Sequence, residues 1–423
     1  VRLSWIEVTD YRSYEALRFE PDPGINVLVG DNGSGKTSLL EAVGYLASLA
    51  SFRRAPDASL VRSGSTGAVI RGEFSQQAPG SRLQAPAGEE APGSRLQAPA
   101  GEQASGIRHQ APAGEEASGI RHQAPAGGRQ DKIGGETLVE IELPAGGRRR
   151  VLLNGKPATS RAAVAATVAL IAFLPDDLDL VKRGPAYRRV YLDDLAAQLW
   201  PAAGIEQAEY ERVLRQRNAL LRRDGRMADP TTLDVLDETL AAHGGAVLAR
   251  RLATVQLITP SVERLYAELG ETPARVSFRY AASGLGDSLG LASAEDFTAL
   301  LAVAVAESRR ADLERRTTSV GPHRDEIEID LDDRDARTRA SQGEQRSVAL
   351  GLRIAAYRVL AERRGTPPVL LLDDVFSELD ARRSARLVER LPEGQMFVTS
   401  ARSEEVPVVG KRWRVAAGAV ETA

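Results

Sequence analysis

Of its 423 residues the chain has no cysteine, two methionines, four histidines and only five lysines among 55 basic residues. Without cysteine there are no disulfides, thiolate metal sites or thiol nucleophiles, a composition that suits a reducing cytoplasm. Four histidines (His109, His122, His243, His323) argue against a multi-histidine metal centre. Aromatic residues make up 5%, and no apolar run approaches the roughly 20 residues of a membrane span. The longest, Ala162 to Phe173, lies between Arg161 and Pro175. No basic-then-apolar leader opens the chain, so export is not expected and neither is a membrane partner. Acids exceed bases by three, which leaves any DNA contact to local basic patches. What is present is 43% hydrophobic residues, enough for two or three domains with real cores.

From Ala78 to Arg129 a 13-residue unit repeats four times: APGSRLQAPAGEE, APGSRLQAPAGEQ, ASGIRHQAPAGEE, ASGIRHQAPAGGR. One aliphatic residue per unit cannot offset the entropy of ordering, so the reading is a disordered loop grown by duplication; a docking tether is the alternative. The flanks, Ala68–Phe74 and Glu136–Leu143, read as strands, which puts the repeat at a hairpin tip. Ile25–Val29 reads as a buried strand and Thr37 to about Ala50 as a helix with Leu39, Leu40, Val43 and Leu46 on one face. From about Val190 to Arg310 the period is helical, with Arg212, Arg215, Arg217, Arg222, Arg223 and Arg226 along it. Strand patterns return at Ile327–Leu331, Val369–Asp373 and Gln395–Thr399. The expected class is α/β: a P-loop ATPase head from 1–189 and 311–423, with a helical arm from 190–310 inserted.

Gly30-Asp31-Asn32-Gly33-Ser34-Gly35-Lys36-Thr37 is a Walker A loop between a strand and a helix. Its glycines let backbone N–H groups cradle phosphate. Lys36 is placed to reach the β and γ phosphates of ATP, and Thr37 to offer its hydroxyl to Mg²⁺. Val369-Leu-Leu-Leu-Asp373-Asp374 is the Walker B counterpart: Asp373 to hold Mg²⁺ through water, Asp374 to orient or deprotonate the attacking water. A surface acidic turn is the plain alternative for that pair.

Ser341-Gln342-Gly343-Glu344, at a helix start 28 residues before Val369, resembles the signature of ABC-type ATPases. In that family the signature of one subunit closes on ATP held by another. Ser377-Glu-Leu-Asp380 resembles the D-loop. Lys36 and Ser341 stand 305 residues apart, too far for a transporter ATPase and too near for a long coiled-coil SMC protein. With that spacing go the opening Leu3-Ser-Trp-Ile-Glu-Val-Thr-Asp-Tyr-Arg-Ser-Tyr-Glu15, then Leu152–Lys156, Phe173–Leu178, Gly184–Asp193, Gly321–Asp325 and Leu372–Asp380. Together, and in order, they resemble the RecF family of bacterial recombination-mediator ATPases over essentially the whole chain outside the repeat.

That resemblance implies an SMC-like head, ATP-driven homodimerisation, DNA binding and slow DNA-stimulated hydrolysis. It also implies partnership with RecR, and through it RecO, in loading RecA at gapped DNA. An energising subunit of a membrane transporter and a scaffold with a vestigial ATP site are the alternatives; the spacing opposes the first, the intact motifs the second. Three positions depart from the wider ABC pattern. Asp374 replaces the usual glutamate, Phe173-Leu-Pro-Asp176 carries no Q-loop glutamine, and Thr399-Ser400 stands at the switch-histidine position. His323 is a candidate substitute catalyst or a hydrogen-bonding turn residue. Arg53, Arg54 and Arg148 to Arg150 on the head, or the arginines of the arm, are candidate DNA contacts or merely solvated side chains.

Overall fold

The structure is a computed structural model that describes residues 1–76, 135–158, 160–269, 274–286 and 293–423. The repeat reading at 78–129 lies outside them.

Two sheets enclose the helix Lys36–Ser48. One is mainly parallel, in the order Ala419–Thr422, Lys411–Ala416, Ile25–Val29, Met396–Ser400, Val369–Asp373, Leu170–Phe173, and only its first strand runs antiparallel. Met396–Ser400 and Val369–Asp373 are buried at every residue, as central parallel strands covered on both faces must be. The other sheet is antiparallel, in the order Tyr14–Phe19, Arg2–Tyr11, Gly67–Ser75, Glu136–Pro144, Arg150–Leu153, Lys156–Pro157. Its strands alternate, turning Ile70 and Phe74, Val139 and Ile141 to the core. Gly67–Ser75 and Glu136–Pro144 pair from Gly67↔Pro144 to Ser75↔Glu136, the hairpin flanks expected around the repeat.

Because both sheets pack on it, Lys36–Ser48 is buried nearly all round, including Glu41 and Tyr45, and has no single apolar face. Both ends of the chain contribute to the parallel sheet: Ile25–Val29 lies between Lys411–Ala416 and Met396–Ser400. The first and last segments therefore fold together.

Between them run helices Pro185–Leu199, Pro201–Asp224, Pro230–Leu269 and Ala294–Arg315. Pro230–Leu269 has 40 residues, about 60 Å at the α-helical rise. It packs on its two helical neighbours and on Gln342–Arg364. The middle is not all helix. Val276–Ala281 is a strand, paired antiparallel with Glu326–Leu331 in a three-stranded sheet completed by Arg334–Asp335. Its partner lies some 45 residues further on, which a local helical period does not reveal.

Candidate active site

The strand Ile25–Val29 delivers the chain to the loop Gly30–Thr37 at the C-terminal edge of the parallel sheet, where ligands bind in such folds. Asp31, Asn32 and Gly33 are exposed, while Gly35 and Lys36 are buried. Gly35 caps the helix at φ 110°, a conformation that strains any residue with a Cβ. The Tyr14 hydroxyl donates to its carbonyl at 3.0 Å and would stand 2.8 Å from an added Cβ. Gly35 has no side chain to cap the helix, so the first-turn N–H groups face the loop. Lys36 folds over this loop, its Nζ donating to the carbonyls of Gly30 at 2.6 Å and Asp31 at 2.9 Å. Burial pushes the Lys36 ammonium below its ordinary range, against the pull of Asp374, Asp373 and Asp31.

Thr37 and Asp373 meet across 336 residues of chain: the Thr37 hydroxyl donates to Asp373 Oδ1 at 3.0 Å. Thr399 Oγ1 donates to the same oxygen at 2.7 Å and accepts from the Asp374 N–H at 2.9 Å. The register Asp373↔Thr399 between adjacent parallel strands makes this contact possible. Burial raises the Asp373 carboxyl; the hydroxyls of Thr399 and Thr37 hold it down, Asp374 pushes it up and Arg53 pulls it down. Asp374 takes a left-handed backbone, φ 51°, uncommon for a residue with a side chain and typical of functional turns. Its carbonyl accepts from Ser377 Oγ at 2.8 Å, which ties the segment that resembles a D-loop to the end of Val369–Asp373.

This constellation suits a triphosphate and a hard divalent cation: curled backbone and a buried ammonium for phosphate oxygens, a hydroxyl and a carboxylate side by side for the metal. Thr399, at the position expected to hold a switch residue, braces both Walker B acids. Ser400 is buried and donates instead to Glu405 at 3.1 Å. Nothing local marks Thr399 for this role; only the strand register does.

Ser341 is exposed at the start of Gln342–Arg364. Its hydroxyl accepts from the Glu344 N–H at 3.3 Å, and Glu344 accepts from the Ser341 N–H at 2.7 Å, a reciprocal capping box. Among the described residues Ser341 bonds only within its own helix, to Glu344 and Gln345. Gln342 is exposed and Gly343 half-buried. Asp380 caps Ala381–Arg390, accepting from the Arg383 N–H at 2.8 Å.

In place of a Q-loop glutamine, Asp177 follows the strand Leu170–Phe173. It accepts from the Leu174 N–H at 2.9 Å and from Arg353 of the signature helix at 2.6 Å. His323 is held by both ring nitrogens, Nδ1 to the Tyr210 hydroxyl at 2.6 Å and Nε2 to the Thr318 carbonyl at 3.1 Å, the hydrogen-bonding role weighed for it.

Of the candidate DNA-contacting arginines, Arg217 is fully buried and bonded to Asp237, Asp312 and Thr318, which removes it. Arg149 is spent on Leu49, Tyr45 and Asp57, and Arg54 stacks over Tyr187 at 3.8 Å. Arg53 and Arg148 are exposed.

Among known proteins, a family model described as an AAA domain matches residues 6–76. The DNA replication and repair protein RecF of Acidothermus cellulolyticus is 36% identical over 98% of this chain and 97% of its own length. That of Streptomyces avermitilis is 35% identical over 100% of both. A solved structure of the recombination mediator protein RecF-ATP in the RecFOR pathway has a TM-score of 0.80 at 24% identity, covering 100% of this chain and 97% of that one. An Smc head bound to the C-winged helix domain of ScpA has a TM-score of 0.51 at 14% identity, covering 100% and 97%. The last two bear on fold alone, and with the sheets described above they make it an ABC-type, SMC-like head. Full-length identity at this level, together with the ordered motifs, shows that the chain belongs to the RecF family of DNA replication and repair proteins.

Proposed function

We propose that the chain is an ATP-dependent DNA-binding switch of replication and recombinational gap repair. The observation that carries this is the cluster Thr37–Asp373–Thr399 beside Lys36, built from three distant segments at the ligand-binding edge of the sheet. Gly30 to Gly35 wrap the phosphates, Lys36 contacts the β and γ positions, and Thr37 and Asp373 hold Mg²⁺. The metal, when bound, neutralises phosphate charge. Asp374, held by Thr399 at its N–H, orients or deprotonates the attacking water.

Ser341, Gln342, Gly343 and Glu344 form a helix start in which Ser341 and Gln342 are exposed, and whose serine is bonded only to its own helix among the described residues. On this reading they complete the ATP site of a second copy, with Ser377 and Asp380 at the same junction, so ATP binding drives homodimerisation and DNA association. Slow, DNA-stimulated hydrolysis resets the dimer. The segment 190–310 serves as an arm on a head formed by 1–189 and 311–423. Family membership extends the reading to RecR, and through it RecO, as partners in loading RecA at gapped DNA in the cytoplasm. A transporter-energising role is not favoured, since full-length relatives are repair proteins. No helix among the described residues is long and apolar enough to cross a membrane.

Two variants test the mechanism. Ser341→Arg places a bulky cation where close backbone contact with the γ-phosphate is needed, so it should bind ATP yet sediment as a monomer with ATP and Mg²⁺. Asp374→Asn should accumulate as an ATP-bound dimer, with hydrolysis down about 10²-fold or more. A dimeric Ser341→Arg or a monomeric Asp374→Asn would falsify the trans-site mechanism.

A further inference from the structure

Arg383 stands in the first turn of Ala381–Arg390, three residues after the capping Asp380. Its guanidinium lies against the signature. A Cβ placed on Gly343 would stand 2.5 Å from Nη2, 2.8 Å from Nη1 and 3.0 Å from Cζ. Gly343 is helical and has no positive φ, so backbone conformation does not require a glycine there, and with one the Arg383 guanidinium can lie where a Cβ would otherwise push it aside. Arg383 Nη1 is also 3.5 Å from Asp380 Oδ2, and its side chain is four-fifths buried, at 20% exposure. One side chain thus spans D-loop and signature. The short helix Ala336–Arg339, with exposed Arg337 and Arg339 and capped by Asp335, leads into Ser341.

We infer that Arg383 is a positioning residue of the trans half-site: it sets the spacing between Asp380 and the backbone at Gly343 and places positive charge beside the helix start that receives a second copy's triphosphate. This rests on the trans-site reading above. A planar guanidinium can lie flat on a glycine backbone while one edge faces a carboxylate, which an ammonium cannot reproduce.

Complementation between full-length variants tests the inference apart from that reading. Arg383→Ala alone should bind ATP within about twofold of wild type and lose about tenfold to a hundredfold in DNA-stimulated hydrolysis, the scale of a charge-assisted contact. Arg383→Gln keeps much of the packing and is measured in parallel, so a folding failure of the alanine variant leaves the question decidable. Mixed in equal amounts with Lys36→Ala, either variant should regain activity. A mixed dimer pairs the intact Lys36 of one copy with the intact Arg383 of the other, and random pairing returns about a quarter of wild-type sites. Ser341→Ala mixed with Lys36→Ala serves as the control. Recovery in both mixtures supports the inference. Recovery in the serine mixture alone places Arg383 in its own copy's site and overturns the inference. Recovery in neither overturns the trans site itself.

Discussion

Charge is buried in two regions of this molecule, and the regions treat it in opposite ways. At the base of the helical segment every buried arginine named here finds a carboxylate. Arg217 is bonded to Asp237 at 2.6 Å and to Asp312 at 2.8 Å. Arg251 grips both oxygens of Asp193 at 2.7 and 2.8 Å, and Arg188 those of Glu326, both at 2.8 Å. At the Walker seam the hydrogen-bond partners are neutral instead, and burial lowers Lys36 and raises Asp373, as it also raises Asp237 beside Arg217. Lys36 is held by carbonyls, and Asp373 by two hydroxyls donating to a single oxygen. Satisfied buried charge fixes one arrangement of helices. Buried charge satisfied only by neutral groups is poised for an ionic ligand, and the seam gives up stability for that readiness.

The comparison is broken most easily at Arg217. Arg217→Ala leaves Asp312, itself fully buried, without its cation. Stranding one member of a buried pair typically costs about 3–5 kcal/mol. Denaturant unfolding should show a loss of that order, with ATP affinity of the remaining folded fraction unchanged. A loss below about 1 kcal/mol would mean that water reaches Asp312 and that this base is not a dry ion-pair network.

Arg217 also shows what was legible beforehand. Its residue type places it among the solvated arginines of the segment, because charged helix positions usually face solvent. Yet Tyr210, Val213, Arg217, Leu220 and Leu221 share one face at helical spacing, and all five are buried. The signal was there, overruled by residue type. The Walker loop and the Val369–Asp373 strand were readable because each carries its chemistry in consecutive residues. Thr399 was readable only as half of the Thr399-Ser400 pair at the switch position, since its bonds to the acids come from lying opposite Asp373 across a strand pair. Arg383 was not, because nothing in its own neighbourhood says that it will lie on Gly343. The strand Val276–Ala281 was lost in a helical surround, as its partner comes after another whole helix.

Lys36→Ala probes the other region and should invert the pattern. The substitution removes an ammonium that burial already disfavours, so ligand-free stability should hold or rise slightly. ATP affinity should fall by about 1.5–3 kcal/mol, some tenfold to a hundredfold, the scale of hydrogen bonds to a charged group. ATP-dependent DNA association should vanish with it. Equilibrium titration with ATP and thermal unfolding without it, on one preparation, supply both numbers. ATP binding near the wild-type level would take the glycine loop out of the proposed site.

The smallest expected effect lies where the two behaviours meet, at His323. Its ring bridges Tyr210 and the Thr318 carbonyl, beside Arg217's partner Thr318. Burial lowers the imidazole from 6.5 to about 4; the Thr318 carbonyl raises it, Arg324 and Arg189 lower it further, and Asp312 opposes them. Nε2 then donates to Thr318, and Nδ1 accepts from Tyr210, so the neutral ring satisfies both partners. Protonation would put a second donor against the tyrosine hydroxyl. The folded value lies below the unfolded one, so as pH falls through 6.5 the unfolded chain takes up a proton that the folded chain refuses. Stability from this residue is therefore complete above about pH 7.5. It is down by about 1 kcal/mol at pH 5.5 and by no more than about 3 kcal/mol near pH 4. His323→Gln, which can donate and accept in the same places without titrating, should flatten that part of the profile. Unfolding free energies of both proteins between pH 5 and 7.5 decide it: parallel curves would show that the histidine titrates alike in both states and that the base of the helical segment is wetter than its ion pairs suggest.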